Sequence, residues 1–243
     1  MRAIVLIALC CLARIIVAQT PVNKTYPVQA GQTIRFQFDY PELIKVSTWE
    51  KNEVSIQGTV SINAGEHDEA FQLSSSIKGN TLVIESEIVN LKNLPHRITV
   101  MRDGKKMTFK NKSALRDYDP GNHNNYKFYS EGVDMDIVLE IKVPKEIDTK
   151  IESVYGMVEI NGFNGPLVVD ATYGGIDASL SESKTGELKA ETNYGQIYSN
   201  LNHPFSGKEE EDFHTLVSAQ LGNGPGYHFE SKYGNVYLRK LNR

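Results

Sequence analysis

Cysteine is almost missing from this 243-residue chain. The two that occur, Cys10 and Cys11, stand side by side in an N-terminal apolar stretch, and no thiol follows them. Beyond that stretch, disulfides, thiolate metal sites and cysteine nucleophiles are excluded. Long apolar runs are equally scarce. The longest, Ala3 to Ala13, has 11 residues, well short of the roughly 20 that a membrane-spanning helix needs. With Met1-Arg2 before it and Ile16-Val17-Ala18 after it, residues 1–18 read as an export signal cleaved to leave Gln19 first. Leu9 is a poor residue to precede a lipidated Cys10. No stable membrane span is expected once the signal is gone.

Excess positive charge is lacking too. The formal net charge is −4, and loss of Arg2 and Arg14 with the signal takes it to −6. That argues against nucleic acid and anionic lipid as partners. No segment carries a helical period. Catalytic constellations are missing as well: the six histidines form no His-x-x-x-His or His-Glu-x-x-His pair, and Gly-x-Ser-x-Gly does not occur. Gly222-Asn223-Gly224-Pro225-Gly226 has no Lys-Ser/Thr to close a phosphate loop. Asp117 to Asn122 begins like a calcium loop, but Phe128 stands where the bidentate glutamate belongs. No catalytic residue, metal site or cofactor is assigned, and no enzyme is expected.

What the chain does have is strand. Thr33 to Asp39, Leu43 to Trp49, Val54 to Ile62, Thr81 to Glu85 and Val133 to Val143 are strand segments, most of them alternating apolar with polar residues. Arg97 to Arg102 and Lys106 to Phe109 flank Asp103-Gly104, a two-residue hairpin turn. The pattern lapses between Asn111 and Gly132, where Ser113 to Asn125 reads as an exposed loop. The chain therefore divides into residues 19–130, an antiparallel β region, and residues 131–243, where one short pattern recurs.

That pattern has four copies: Ile151-Glu152-Ser153-Val154-Tyr155-Gly156-Met157-Val158, Val169-Asp170-Ala171-Thr172-Tyr173-Gly174-Gly175-Ile176, Ala190-Glu191-Thr192-Asn193-Tyr194-Gly195-Gln196-Ile197 and Phe229-Glu230-Ser231-Lys232-Tyr233-Gly234-Asn235-Val236. The tyrosines lie 18, 21 and 39 residues apart. A matched unit of about 20 residues predicts an all-β, largely parallel, β-helix-like solenoid in which each copy buries its apolar face on the next. The long last gap, with Lys208 to Asp212, reads as a solvated loop pushed out of one coil. Strand alternation turns Ile151, Val169, Ala190 and Phe229 inward, with Ser153, Ala171, Thr192 and Ser231. It turns Glu152, Asp170, Glu191 and Glu230 outward in one row, where they are the candidate binding residues. Such a row needs relief, either from Lys150, Lys189 and His228 on the same face or from a cation such as Ca²⁺. Tyr155, Tyr173, Tyr194 and Tyr233 serve either as a structural aromatic ladder or as a strip for sugar rings. Gly156, Gly174, Gly195 and Gly234 allow the bend that follows each of them.

The succession of these Tyr-Gly copies, with the Val133–Pro144 strand and Ile44-Lys45-Val46-Ser47-Thr48-Trp49, resembles the putative-adhesin family of bacterial secreted β-solenoid proteins, a domain of unknown function. The resemblance covers most of the chain, most firmly residues 130–243. It implies a right-handed, largely parallel solenoid in the bacterial envelope or outside the cell, with no catalytic residues to carry over. The expected function is an exported, non-catalytic module in the periplasm, at the cell surface or outside the cell, binding a glycan or an envelope or surface protein. A periplasmic scaffold in envelope maintenance is the alternative; a polysaccharide-processing enzyme, by fold analogy alone, is the weaker third.

Overall fold

Alternating sequence becomes strand almost everywhere it occurs. A computed structural model describes residues 19–121, 126–205, 207–211 (backbone only) and 213–241, so the export segment expected over residues 1–18 lies outside the described residues. The first half of the chain supplies β1 (Thr20–Pro27), β2 (Thr33–Phe38), β3 (Leu43–Trp49), β4 (Glu53–Ile62), β5 (Phe71–Lys78) and β6 (Thr81–Ile88). A small sheet follows, made of β7 (Arg97–Arg102), β8 (Lys105–Phe109) and β9 (Phe128–Gly132), with helix α1 (Lys112–Tyr118) between the last two. β10 (Met135–Pro144) then leads to three strand pairs: β11 (Thr149–Ser153) with β12 (Met157–Asn161), β13 (Leu167–Ala171) with β14 (Ile176–Leu180), and β15 (Glu187–Thr192) with β16 (Ile197–Ser199). The hairpin β17 (Gly207–Glu211) and β18 (His214–Gln220) precedes the last pair, β19 (Tyr227–Ser231) and β20 (Val236–Lys240).

The fold is all-β, with mixed sheets. One sheet has eight strands in the order β1-β4-β10-β3-β12-β14-β20-β16, and the other has nine, β17-β18-β15-β19-β13-β11-β2-β6-β5. Each strand pair places its first member in the nine-stranded sheet and its second in the eight-stranded one. Within the repeats all neighbours are parallel. The parallel stack also reaches back across residue 130: β2 pairs with β11 and β3 with β12. The N-terminal region, expected to be antiparallel, is so only in part, because β2 and β3 form a further pair of the same stack.

Inward side chains of both sheets merge into one core. In register across the nine-stranded sheet stand Phe36, Ile151, Val169, Phe229 and Ala190, all fully buried. The large Phe229 fits between the smaller Val169 and Ala190, as close packing requires. Burying one such large apolar side chain contributes about 1.5–3 kcal/mol.

Three expectations are corrected. The last Tyr-Gly copy does not follow the third: β19 pairs with β13 on one side and β15 on the other, so the fourth copy is inserted between the second and third. The long gap between them is not a loop. It holds β17 and β18, and β18 pairs antiparallel with the edge of β15 that β19 leaves free. Finally, part of the expected loop at Ser113–Asn125 is helix α1, whose N-terminal amide at Ala114 is capped by Asn111 Oδ1 at 2.9 Å. Its Leu115 is buried against Ile98 and Val100 of the small sheet. Residues 122–125 lie outside the described residues. Asp103 and Gly104 form the expected hairpin turn, with φ of 51° and 74°.

Candidate functional site

Every Tyr-Gly pair lies in the short turn that carries the chain from the nine-stranded sheet to the eight-stranded one, and turns between stacked strands must themselves stack. The tyrosine rings form a ladder in the spatial order Tyr155, Tyr173, Tyr233, Tyr194. Neighbouring centroids are 5.4, 5.1 and 5.1 Å apart, and the planes lie within 10° of parallel. Tyr40 extends the ladder beyond Tyr155 at 6.1 Å, and Phe213 extends it beyond Tyr194 at 5.5 Å with a tilt of 34°. Each contact of this kind adds about 0.5–1.5 kcal/mol beyond burial. The rings are nevertheless exposed, 58% for Tyr155, 55% for Tyr173, 43% for Tyr233 and 58% for Tyr194. Their faces are taken by one another, so solvent meets their edges and hydroxyls.

The glycines have a different reason from the one their sequence suggests. None of Gly156, Gly174, Gly234 and Gly195 has a positive φ. Their turns instead pack backbone on backbone: a Cβ on Gly174 would lie 1.9 Å from Gly156 O, one on Gly234 2.2 Å from Gly174 O, and one on Gly195 1.9 Å from Gly234 O. In three of the four copies a buried hydroxyl two residues before the tyrosine locks this column; the second copy has Ala171 there. Ser231 Oγ donates to Gly174 O at 2.8 Å and accepts from Gly234 N at 2.9 Å, while Thr192 Oγ1 donates to Gly234 O at 2.9 Å and accepts from Gly195 N at 3.0 Å. Ser153 donates to Gly156 O at 3.2 Å.

The outward acids form the expected row. Glu152, Asp170, Glu230 and Glu191 are successive register partners. Side chains relieve most of it. Lys150 Nζ bridges Asp170 at 2.7 Å and Glu152 at 3.2 Å, and Arg35 grips Glu152 through two bonds of 2.9 and 2.7 Å. At the other end Glu191 is held between His228 Nε2 at 2.7 Å and His214 Nε2 at 3.1 Å. Lys189 pairs with Glu187 instead, at 3.4 Å, and His228 serves the acid of the neighbouring copy rather than its own. Burial pushes the Glu152 carboxyl up, but hydrogen bonds from Arg35 and Lys150 outweigh it and hold the group below the ordinary carboxylate value. Burial likewise opposes ionisation of Glu191, and its bonds to His214 and His228 prevail. Among the described residues no group of three or more His, Cys, Asp or Glu is arranged to hold a metal ion. Of the calcium-loop-like segment, Asp119 is engaged by Arg102 at 3.2 Å and by the Tyr126 hydroxyl at 2.9 Å.

A carboxylate with a depressed pKa stabilises the fold above its unfolded value, and that contribution is lost as pH falls through the folded value. Replacement Glu152→Gln is therefore expected to lower stability at pH 7 and to flatten its decline below about pH 5. Urea unfolding of both proteins at pH 7, 5 and 3.5 checks this; parallel stability curves would refute it.

At its Tyr40 end the ladder runs into a cleft of about 440 Å³ between the stack and the small sheet, lined among others by Tyr40, Tyr155, Glu42, Met101, Lys106 and Phe128. Burial raises the Glu42 carboxyl, with Asp136 and Asp134 adding to a shift that Lys106 opposes. Burial lowers Lys106, but its 2.9 Å contact with Asp134 and the neighbouring acids carry it above the ordinary lysine value.

The structure thus brings together all the predicted tyrosines, glycines and acids, the acids on the flat face of the nine-stranded sheet and the Tyr-Gly pairs at its margin. The repeat pattern did not reveal Tyr40, Phe213, Arg35 or His214. Tyr40 had a readable signal, since Phe36 stands four residues before it as Ile151 stands before Tyr155, but Pro41 replaces the glycine and one extra residue precedes Ile44.

No protein-family model matches the chain, and no curated protein matches it. Among solved structures it is similar to a putative cell adhesion protein from Clostridium sporogenes, with 12% identity and a TM-score of 0.43 over 92% of this chain and 100% of that one. It is also similar to a putative adhesin from Bacteroides fragilis, with 12% identity and a TM-score of 0.25 over 93% and 99% of the two chains. Likenesses this distant carry no argument about function, which has to come from the surface just described.

Proposed function

We propose that this chain is an exported, non-catalytic protein of the bacterial cell surface or envelope, of the putative-adhesin type, which binds a glycan or protein along its aromatic corner. Its parallel stack is a β-solenoid whose last coil is inserted between two earlier ones, and its strand-to-strand crossovers take the right-handed form that parallel connections favour. The observation that carries this reading is the exposed tyrosine ladder. Four large aromatic side chains left exposed in one contiguous row mark an interaction surface more often than chance. Within the acidic row, Glu152 and Glu191 are held ionised by cationic or hydrogen-bonding partners, so neither suits the proton-donor role that a glycosidase needs.

A second reading, a periplasmic scaffold, draws on the same ladder, because rings that occupy one another's faces also stiffen the stack. Protease shaving of intact cells carrying an epitope-tagged copy separates the two. Digestion on intact cells is expected and places the chain at the surface; protection until lysis favours the scaffold. Glycan and envelope-protein screens follow, with Tyr173→Ala expected to weaken any hit roughly tenfold or more, as truncating an aromatic anchor does. Saturating screens without a single hit would overturn the binding role.

A further inference from the structure

Resting on the reading of the aromatic corner as a binding surface, we infer that its ligand is an extended, β-1,4-linked glycan lying lengthwise along the ladder, one sugar ring per tyrosine. The period carries the argument. Successive rings are 5.4, 5.1 and 5.1 Å apart along Tyr155, Tyr173, Tyr233 and Tyr194. One pyranose of a fully extended β-1,4-linked chain advances by nearly the same distance, so the match persists from ring to ring. α-1,4-Linked chains coil and lose it. An extended peptide repeats its same-face side chains every 6.6–6.8 Å, roughly, and falls about 4 Å out of step over the three intervals of the four rings. An α-helix has a suitable pitch of about 5.4 Å, but helices dock in grooves, and these tyrosines stand exposed on the turns that join the two sheets.

The chemistry of the strip agrees with its spacing. Among the described residues the hydroxyls of Tyr155, Tyr173, Tyr233 and Tyr194 make no hydrogen bond, which leaves a row of donors and acceptors at the sugar period. Thr172, Lys232 and Asn193 stand one residue before their tyrosines, and Asn235 and Gln196 two residues after theirs. Tyr233 and Tyr194 thus have polar neighbours on both sides in sequence, Tyr173 on one side, and Tyr155, between Val154 and Met157, on neither; the polar positions suit the equatorial hydroxyls that border the apolar face of a β-linked sugar. The faces are already stacked, so recognition runs through edges, hydroxyls and flanks rather than through a sugar laid on an open ring. A chain following the ladder past Tyr155 and Tyr40 enters the cleft beside Lys106 and Glu42, whose size falls within the range of about 300–1,000 Å³ that accommodates small ligands.

The test is calorimetric titration of the whole protein with β-1,4-linked gluco-oligosaccharides and their N-acetylated counterparts, from two sugars upward, beside α-1,4-linked chains of equal length. Affinity is expected to climb with each added β-linked sugar until the ladder is covered and then to level off, while α-linked chains stay weak. Tyr173→Phe, which keeps the ring and the stack, is expected to lose several-fold in affinity at unchanged melting temperature, and Tyr173→Ala to lose more. Equal binding of α-linked chains, affinity that stops rising after two sugars, or binding only to proteins or other glycans would overturn this inference and leave the wider binding role standing. Absence of binding to any glycan or protein would overturn both.

Discussion

Replacement Gly174→Ala is expected to destabilise the protein by about 3 kcal/mol or more, the upper end of what overpacking costs. The added methyl would lie 1.9 Å from Gly156 O, 2.5 Å from Gly156 C and 3.2 Å from Met157 N. All three are backbone atoms of a strand-linking turn, so no rotamer change makes room. Moving them displaces the register of β11 on β13 and of β12 on β14, and with it the Tyr155–Tyr173 contact. For a chain of this length the loss corresponds to a melting temperature lower by roughly 10 °C. Gly132→Ala is the control, since a methyl there meets nothing within 4 Å and the residue has no positive φ. Thermal melts of the three proteins decide the matter. A Gly174→Ala protein that melts with the control would mean that the turns are not packed backbone on backbone.

Inward and outward faces were readable because alternation is local: Ile151, Val169, Ala190 and Phe229 declare their side by position alone. The tyrosine ladder was readable for the same reason, since turns between stacked strands stack in turn. The order of stacking was not. β13 and β15 offer edges of the same chemistry, and nothing in either segment says that β19 will lie between them. Relief of the acidic row was legible at Lys150, two residues from Glu152, but not at Arg35, which is 117 residues away in sequence. His214 was hidden because the hairpin that carries it lacks the repeat's pattern. Helix α1 has seven residues and a single buried side chain, Leu115, too few for a helical period to show.

Ending the chain at Gly222 is expected to abolish cooperative folding, although it removes only the last of the four copies. In a stack that followed sequence order, such a truncation would trim an end. Here β19 and β20 lie inside, β19 between β13 and β15 and β20 between β14 and β16. Removal opens a gap of two strand spacings, about 10 Å, between β13 and β15, and leaves Tyr173 and Tyr194 without the ring that joins them. The gap could close only if the third copy moved onto the second, which would set Ala190 against Val169. The fully buried Phe229 would then have no replacement, a loss of about 3–5 kcal/mol for that side chain alone, and the hairpin of β17 and β18 would have to travel with β15. Starting the chain at Val28 instead deletes β1, an edge strand whose residues are mostly exposed, and should leave a cooperative transition at a lower temperature. Size-exclusion chromatography and urea unfolding of the two truncations check the contrast. If the chain ending at Gly222 stayed compact and unfolded in one sharp step, the inserted last coil would be wrong, because only a stack in sequence order can lose its final copy and keep its core.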